Sequence, residues 1–298
     1  MSIVTDSRKI IDAAIQAALP DTAVERALEQ LPEYGGRLVL IAAGKAAWQM
    51  AAAAQRRLEE KISGGVVITK YRHAQGPLGK LAIFEAGHPV PDENSYRGTQ
   101  AAIDAVTGLR ESDLVLFLLS GGGSALFEKP RIAPGELADI TRQLLACGAD
   151  ITEINTLRKR FSAVKGGKFA RLCAPAQVFS IVLSDVLGDP LDAIASGPAY
   201  PDPTTAAQAQ GIAEKYRLRL SAEARARLAE ETPKELTNAR SVVTGSVRQL
   251  CTAAAGAASE LGYTPIVLST SLCCEAREAG SFLASIAQYH RDTETSLA

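Results

Sequence analysis

The sequence predicts an α/β fold, and two features of the chain carry that prediction. Unbroken apolar runs bounded by turn residues, of which 114–119 is the clearest, are typical of strands covered on both faces. Segments with apolar residues at helical spacing alternate with these runs, and such alternation indicates parallel strands. The 298 residues are enough for more than one core. We therefore expect a Rossmann-like three-layer domain with a parallel sheet, followed by the start of a second, incomplete α/β domain.

The individual elements follow from the same patterns, taken in chain order. Ile10, Ala14 and Ala17 are at helical spacing and predict a first helix over 6–19. The remaining predicted elements are a strand at 37–43, a helix at 46–61, strands at 65–69 and 81–85, a helix capped by Asn94 or Ser95 and ending near 107, a strand at 114–119, helices at 134–147 and 150–163, a strand at 177–184, helices at 204–217 and 221–230, a strand at 241–244, a helix to 261, a strand at 265–269 and a last helix. We place the domain boundary in the linker at 233–238, which gives an N-terminal domain of residues 1–236 and a partial second domain of residues 237–298.

Composition and charge exclude several classes of protein. The 32 basic and 33 acidic residues give a net charge of -1, so no overall field favours a nucleic-acid or membrane partner. No apolar run nears the length that crosses a bilayer. The five cysteines are odd in number and lack Cys-x-x-Cys spacing, which argues against zinc and for a reducing compartment. We expect a cytoplasmic enzyme, and assembly into a homo-oligomer is compatible with this composition.

Three irregular stretches lie where predicted strands end. They are Gly44-Lys45, the run from Ser120 to Ser124, and the segment from Ser184 to Asp192. Ligands of parallel sheets bind beyond the carboxyl ends of the strands. The second stretch contains Gly121, Gly122 and Gly123, which allow a sharp turn and leave backbone N–H groups for an anion. The sequence therefore predicts a binding pocket at this edge of the sheet.

The residue types at these strand ends suit phosphoryl transfer. That chemistry needs backbone N–H groups and a cation to hold phosphate oxygens, and carboxylates to hold Mg²⁺. The glycine stretch supplies the first, Lys45 the second, and Asp185 and Asp189 the third. Two alternatives stay open: Lys45 as a solvated residue in the first turn of a helix, and the two aspartates as turn or cap residues. No Walker A sequence is present, and Leu126 stands where a dinucleotide fingerprint needs its third glycine.

A basic segment follows the predicted helix at 150–163. Its members are Arg158, Lys159, Arg160, Lys165, Lys168 and Arg171, with no acidic residue between them. Two interpretations are open, a solvated helix face and an electrostatic funnel for an anionic substrate. Only two phenylalanines are interleaved, so single-stranded nucleic acid is not favoured as a partner.

Six motifs occur in an order that resembles the class II glycerate kinases. They are Ala43-Gly-Lys-Ala-Ala47, Gly87-His-Pro-Val-Pro-Asp92, Leu119-Ser-Gly-Gly-Gly-Ser-Ala125, Asn155-Thr-Leu-Arg-Lys159, Ser184-Asp-Val-Leu-Gly-Asp189 and Ser196-Gly-Pro198. The resemblance covers residues 1 to about 285. It implies transfer of phosphate from ATP to D-glycerate, giving 2-phosphoglycerate, although relatives also carry the label hydroxypyruvate reductase, associated with tartrate degradation.

The resemblance implies roles for particular residues. It implies two α/β domains with the active site in the cleft between them. Lys45 matches the family's lysine, and Asp185 and Asp189 match its acidic turn, so that Lys45 and Asp189 are expected to be catalytic and both aspartates to hold Mg²⁺. The residues expected to bind substrate or phosphate are Ser120, Gly121, Gly122, Gly123, Ser124, Arg158 and Lys159. ATP and Mg²⁺ are the implied cofactors.

The chain departs from the family pattern at its C-terminal side. Family members continue into Gly-Gly-Glu-Thr and Gly-Arg-Asn-Gln-Glu stretches, which are absent from this sequence. We accordingly expect an open sheet edge, a loosely held second domain and negligible kinase activity from these 298 residues alone. Two alternatives remain: an NAD(P)H-dependent hydroxypyruvate reductase, which the missing dinucleotide fingerprint opposes, and an inactive fragment that binds ligand without turnover.

Overall fold

A computed structural model describes residues 3–291 and divides them into two compact units. The larger unit is Pro20–Thr244, and the described residues outside that range form the smaller one. No helix within residues 3–291 combines the length and the hydropathy that crossing a membrane requires. All five cysteines are free thiols.

The larger unit is built on a parallel sheet of six strands. The strands are β1 Leu38–Ala43, β2 Ile62–Lys70, β3 Leu81–Ala86, β4 Leu114–Leu119, β5 Gln177–Leu183 and β6 Ala239–Thr244. Their order across the sheet is β3-β2-β1-β4-β5-β6, and every neighbouring pair is parallel. The predicted α/β class with a parallel sheet is confirmed.

Helices connect these strands and cover both faces of the sheet. In the larger unit they are α2 Pro20–Leu28, α3 Ala47–Leu58, α4 Glu93–Val106, α5 Gly123–Leu126, α6 Pro134–Ala146, α7 Ile151–Phe161, α8 Lys168–Cys173, α9 Ala206–Lys215 and α10 Ala222–Leu228. One core packs α4 and α8 on the sheet, and a second packs α2 and α3 on its other face. A third core joins α6, α7, α9 and α10. The sheet with its two covering layers is the predicted three-layer arrangement.

The central strands owe their place to their sequence. Every residue of β1 and β4 is buried, because both strands are apolar throughout and neither has a polar position to turn toward water. Phe117 of β4 packs against Phe127 and Phe169, with ring centroids 5.4 and 4.9 Å away. On the other face the alanines of α3 allow the helix to lie close to the sheet.

Two local predictions were wrong. Asp92, and neither Asn94 nor Ser95, caps α4: its carboxylate accepts the Ser95 N–H at 3.0 Å, and the Ser95 hydroxyl accepts the Asp92 N–H at 3.1 Å. The predicted strand at 265–269 does not form. Ile266 and Leu268 are 79% and 70% exposed, and a strand needs a hydrogen-bonded neighbour, which this segment lacks among the described residues.

The larger unit extends beyond the predicted boundary at residue 236. β6 begins after that boundary, yet it pairs with β5 in the same sheet, from Val178 opposite Ala239 to Leu183 opposite Thr244. The compact unit therefore ends at Thr244. As a domain boundary, residue 236 stays a prediction, and the last seven residues of the segment 237–298 lie outside the described part of the chain.

The smaller unit consists of α1 Ile3–Ala18, α11 Val247–Glu260 and α12 Ala276–His290. α1 packs against α11, and the Tyr263 hydroxyl donates to the Asp6 carboxylate at 3.1 Å. α12 buries none of its residues. This unit thus has much less core than the larger one.

Asp113 fixes the start of the two central strands, and this generates a test of the fold. Its carboxylate is 3% exposed and accepts the backbone N–H groups of Arg37 at 2.7 Å and Arg110 at 2.9 Å. The Arg110 and Arg37 N–H groups hold the pKa of Asp113 below its ordinary value of 3.8. We expect Asp113→Asn to lower the free energy of unfolding by about 1–3 kcal/mol at pH 7, measured in urea.

The pH dependence of unfolding supplies a second readout. A lowered carboxyl pKa contributes stability that is present above pH 3.8 and lost as the pH falls through the folded-state pKa. Asp113→Asn should lack that loss. Asp104→Asn, at an exposed carboxylate of α4 that accepts from Gln100, is the control and should change little. Equal stability of the two variants would contradict this role for Asp113.

Candidate active site

The candidate site lies at the edge of the sheet where the strand order reverses. β1 is flanked by β2 and β4, so the chain leaves β1 toward one side of the sheet and leaves β4 toward the other. The connections diverge there, and the resulting crevice is where open α/β sheets bind ligands. Ala43 and Leu119, the last residues of β1 and β4, are register partners. Gly44-Lys45 and the glycine stretch therefore begin side by side.

Hydrogen bonds join the loops after β1 and β4 into one structure. The Lys45 N–H donates to the Gly121 carbonyl at 2.8 Å, and the Ala46 N–H donates to the Ser120 hydroxyl at 3.0 Å. Ser120 is 1% exposed, and its own N–H donates to the Ala43 carbonyl at 3.0 Å. Lys45 itself precedes α3 and is exposed. The backbone on both sides of the lysine is thus held by the residues that open the glycine stretch.

Gly121 and Gly122 bring three ionisable side chains together. A Cβ atom on Gly121 would lie 2.0 Å from the Asp185 carboxylate. Gly122 has φ +86°, and a Cβ there would lie 3.0–3.1 Å from the His88 ring and from Cγ of Lys45. The side chains of Lys45, His88 and Asp185 can surround this turn because the two glycines carry none. Among the described residues, no acceptor is found for the N–H groups of Gly121 and Gly122.

His88 is a site residue that the sequence analysis did not single out. Partial burial is the main reason that its pKa is lowered from 6.5, and the positive charges of Lys45 and Lys70 lower it further. Asp185 acts in the opposite direction. The imidazole is therefore neutral at pH 7. Its position just after β3, at the same edge of the sheet as Lys45, was the available signal, because all carboxyl ends of a parallel sheet share that edge.

The acidic turn after β5 divides into residues with different surroundings. Asp185 is exposed beside Gly121, and its carboxylate has no hydrogen-bond partner within residues 3–291. Asp189 is half-buried, with φ +55°. In the described part of the chain, no three His, Cys, Asp or Glu side chains form a group that could hold a metal ion. Asp185 is thus the acidic side chain that the structure brings to the glycines.

Three of the six basic residues of this segment, Lys159, Arg160 and Lys165, are buried, so the segment as a whole does not form an exposed surface. Lys159 is 2% exposed, and its ammonium lies 3.1 Å from the Asp202 carboxylate and 3.4 Å from that of Asp192. Arg160 is buried against the same Asp202 at 3.3 Å. Of the residues expected to bind phosphate, Arg158 is half-buried, whereas Lys159 is enclosed by carboxylates.

Comparisons with known proteins place the chain among glycerate kinases. A family model described as "Domain of unknown function (DUF4147)" matches residues 6–229. A D-glycerate 2-kinase of Thermotoga maritima is 49% identical over 281 residues, which are 93% of this chain and 67% of that protein. The crystal structure of a glycerate kinase from Thermotoga maritima matches with a TM-score of 0.94 and 47% identity, covering 98% of this chain and 71% of that one.

A relative with a different label is also similar. A putative hydroxypyruvate reductase of Agrobacterium vitis is 42% identical over 295 residues, which are 96% of this chain and 66% of that protein. The chain thus spans about two thirds of the length of these relatives. The kinase names accompany the higher identity and the solved structure. With the six-stranded sheet and the family match over more than half of its residues, the chain belongs to the D-glycerate 2-kinase family of phosphotransferases.

Proposed function

We propose that this chain binds ATP, Mg²⁺ and D-glycerate at the carboxyl edge of its sheet for phosphoryl transfer to the 2-hydroxyl, giving 2-phosphoglycerate and ADP. The observation that carries the proposal is the meeting of Lys45, His88 and Asp185 around two glycines whose N–H groups lack acceptors among the described residues. The names of the relatives supply the substrate and imply the donor. The cytoplasmic location of the protein and its assembly into a homo-oligomer remain predictions.

The glycine stretch and Lys45 would hold the phosphoryl group that is transferred. Phosphoryl transfer has little covalent chemistry for a protein to perform, so catalysis depends on position and charge. Backbone N–H groups of Gly121 and Gly122 provide fixed donors, and the exposed ammonium of Lys45 provides a positive charge next to them. Donors that are already oriented stabilise developing charge without reorganisation. The hydrogen bonds between the two loops provide that orientation.

Asp185 fits the needs of a magnesium ion that arrives with a nucleotide. Mg²⁺ commonly takes one or two protein carboxylates and completes its six ligands with phosphate oxygens and water. A single exposed carboxylate beside a phosphate-binding turn meets that description, and Asp189 is proposed as the second. The ion would neutralise the negative charge of the phosphates. No protein cage is required, in agreement with the lack of a larger ligand cluster within residues 3–291.

His88 can accept the proton of the attacking hydroxyl. A general base must be unprotonated at the working pH, and the lowered pKa of His88 meets that condition. Lys45 and Lys70 disfavour the protonated ring in the free protein. The imidazole therefore remains neutral until negatively charged phosphate reduces the effect of the lysines.

Ligand binding separates the kinase from the reductase interpretation. MgATP should bind to the purified chain in calorimetry, and NADH should not, because the chain lacks a dinucleotide fingerprint. Lys45→Met should weaken the binding of MgATP, whereas Lys80→Met, at an exposed lysine paired with Glu60, should not. A chain that also carries the family's Gly-Gly-Glu-Thr and Gly-Arg-Asn-Gln-Glu stretches should convert D-glycerate and MgATP to 2-phosphoglycerate by ³¹P NMR, whereas these 298 residues alone are expected to show negligible turnover. Loss of NADH absorbance with hydroxypyruvate, without phosphorylation of glycerate, would reverse the assignment.

The next prediction concerns the metal. Asp185→Asn should raise the Mg²⁺ concentration needed for half-saturating ATP binding about tenfold, the equivalent of about 1.4 kcal/mol. Asp189→Asn should do the same if its carboxylate is the second ligand. Asp104→Asn is the control. An unchanged Mg²⁺ titration for both site variants would mean that Asp185 and Asp189 are turn residues.

The arrangement of charges around His88 can be tested in the absence of any ligand. Lys45→Met removes a positive charge and should raise the pKa of His88 toward 6.5, followed by NMR of the imidazole. Asp185→Asn removes a negative charge and should lower the same pKa further. Lys80→Met should leave it unchanged. If the His88 titration in both Lys45→Met and Asp185→Asn matched that of the wild type, neither side chain would face the ring.

A further inference from the structure

Lys165 is a buried cation that the proposed chemistry does not use. Its side chain is fully enclosed, and its ammonium donates to the carbonyls of Ser124 at 3.0 Å and Phe127 at 2.9 Å. The Glu128 carboxylate lies 3.4 Å away and is itself 1% exposed. Burial is the main cause that lowers the pKa of Lys165 to about 8, and Glu128 partly offsets it.

The Ser124 carbonyl ends the glycine stretch, and the Phe127 carbonyl lies at the C-cap of α5. α5 begins at Gly123 and has only four residues, so its carbonyls lack the partners that a longer helix would give them. Lysine side chains near a helix C-terminus commonly satisfy such groups. Among the described residues, Lys165 is the side chain that donates to either carbonyl. The ammonium therefore fixes the end of the turn whose beginning is fixed by Lys45 and Ala46.

The residues after Lys165 hold a second segment in place. The Gly166 and Gly167 N–H groups donate to the carbonyls of Ser196 at 2.9 Å and Gly197 at 2.7 Å. Ser196 has φ +60°, an uncommon backbone conformation for a residue with a side chain, and it persists only where the surroundings hold it. The three residues 165–167 thus connect the glycine stretch to the Ser196-Gly197-Pro198 motif.

We propose that Lys165 is a positioning residue that orders the glycine stretch for phosphate binding. A buried ion pair is a poor source of stability, since apolar residues of similar volume are often as stabilising. Oε1 of Glu128 even lacks a hydrogen-bond partner within residues 3–291. One ammonium holds a carbonyl within α5, that of Ser124, and a carbonyl at its C-cap, that of Phe127, and an apolar side chain could not do this. The phosphate part of this inference rests on the proposed function.

The test compares two buried lysines. Lys165→Met is combined with Glu128→Gln so that no carboxylate is left unpaired. The control is Lys168→Met: the Lys168 ammonium donates to the carbonyls of Lys159 at 2.5 Å and Ser162 at 2.7 Å, at the end of α7. Amide hydrogen exchange of residues 121–126 in the ligand-free chain, MgATP binding and urea unfolding are measured for both.

We expect amide exchange of residues 121–126 to become at least about tenfold faster in the double variant, and MgATP binding to weaken by a similar factor. In Lys168→Met neither should change, even where unfolding shows a comparable loss of stability. Exchange at the wild-type rate in a folded double variant would overturn the proposal. If the double variant does not fold, Lys165→Gln with Glu128→Gln replaces it. Failure of both to fold where Lys168→Met folds would assign Lys165 to folding instead and overturn the positioning role.

These outcomes separate the inference from the function on which it rests. Faster exchange of residues 121–126 in a protein whose wild type does not bind MgATP would support the positioning role of Lys165. The same result would contradict the kinase proposal. Unchanged amide exchange of residues 121–126 in the double variant, together with tight MgATP binding by the wild type, would contradict the positioning role of Lys165 and support the kinase proposal.

Discussion

The hydrogen bonds between the loops after β1 and β4 are the constraint on which the candidate site depends. The Ser120 hydroxyl and the Gly121 carbonyl accept from the backbone on either side of the Lys45 side chain, so the lysine and the glycine turn cannot move independently. Both strands are buried at every residue, and Asp113 fixes their opposite ends. The register of β1 with β4 therefore sets the position of the glycine stretch relative to Lys45. Preorganised donors of this kind are what phosphoryl transfer demands.

Buried charges perform the same task further from the crevice. Lys159 joins Asp202 in the core to Asp192 at the end of the acidic turn, and Lys165 joins the glycine stretch to Glu128. Burying an ammonium costs free energy that an apolar contact would not. Hydrogen bonds from a buried ammonium are directional and apolar contacts are not, so they can hold a loop in one conformation, and this offsets the free-energy cost of burial. The buried members of the basic segment, Lys159, Arg160 and Lys165, therefore support the loops from inside, and ligand binding by Arg158 and Lys159 stays a prediction.

The sequence predicts the strands of the sheet well and the buried charged residues that hold the loops poorly, for physical reasons. Apolar runs identify β4 and β5 because a doubly covered strand has no polar positions, and the carboxyl ends of parallel strands share one edge. The segment 265–269 has the same apolar character but no neighbouring strand among the described residues, and sequence does not reveal the neighbour. The partner of Lys159 lies 43 residues away, so its burial could not be read from its own surroundings. His88 was overlooked because its pKa is lowered mainly by partial burial and further by Lys45 and Lys70, and only the fold reveals that burial and brings the lysines near.

Basic and acidic side chains lie on opposite sides of the glycine stretch in the crevice. Lys45 follows β1, Lys70 ends β2 and His88 follows β3, all on one side of the glycine stretch in the strand order. Asp185 follows β5 on the other side. A phosphate bound at the turn would lie between the two lysines on one side and, on the other, the carboxylate that we propose as a ligand of Mg²⁺. The lysine ammonium groups would stabilise the negative charge of the phosphate on one side, and a divalent ion would stabilise it on the other. The ammonium groups and the ion would then not compete for the same phosphate oxygen atoms. The reversal of strand order at β1 and β4 produces this separation, because it sends the loops that carry the two kinds of charge in opposite directions.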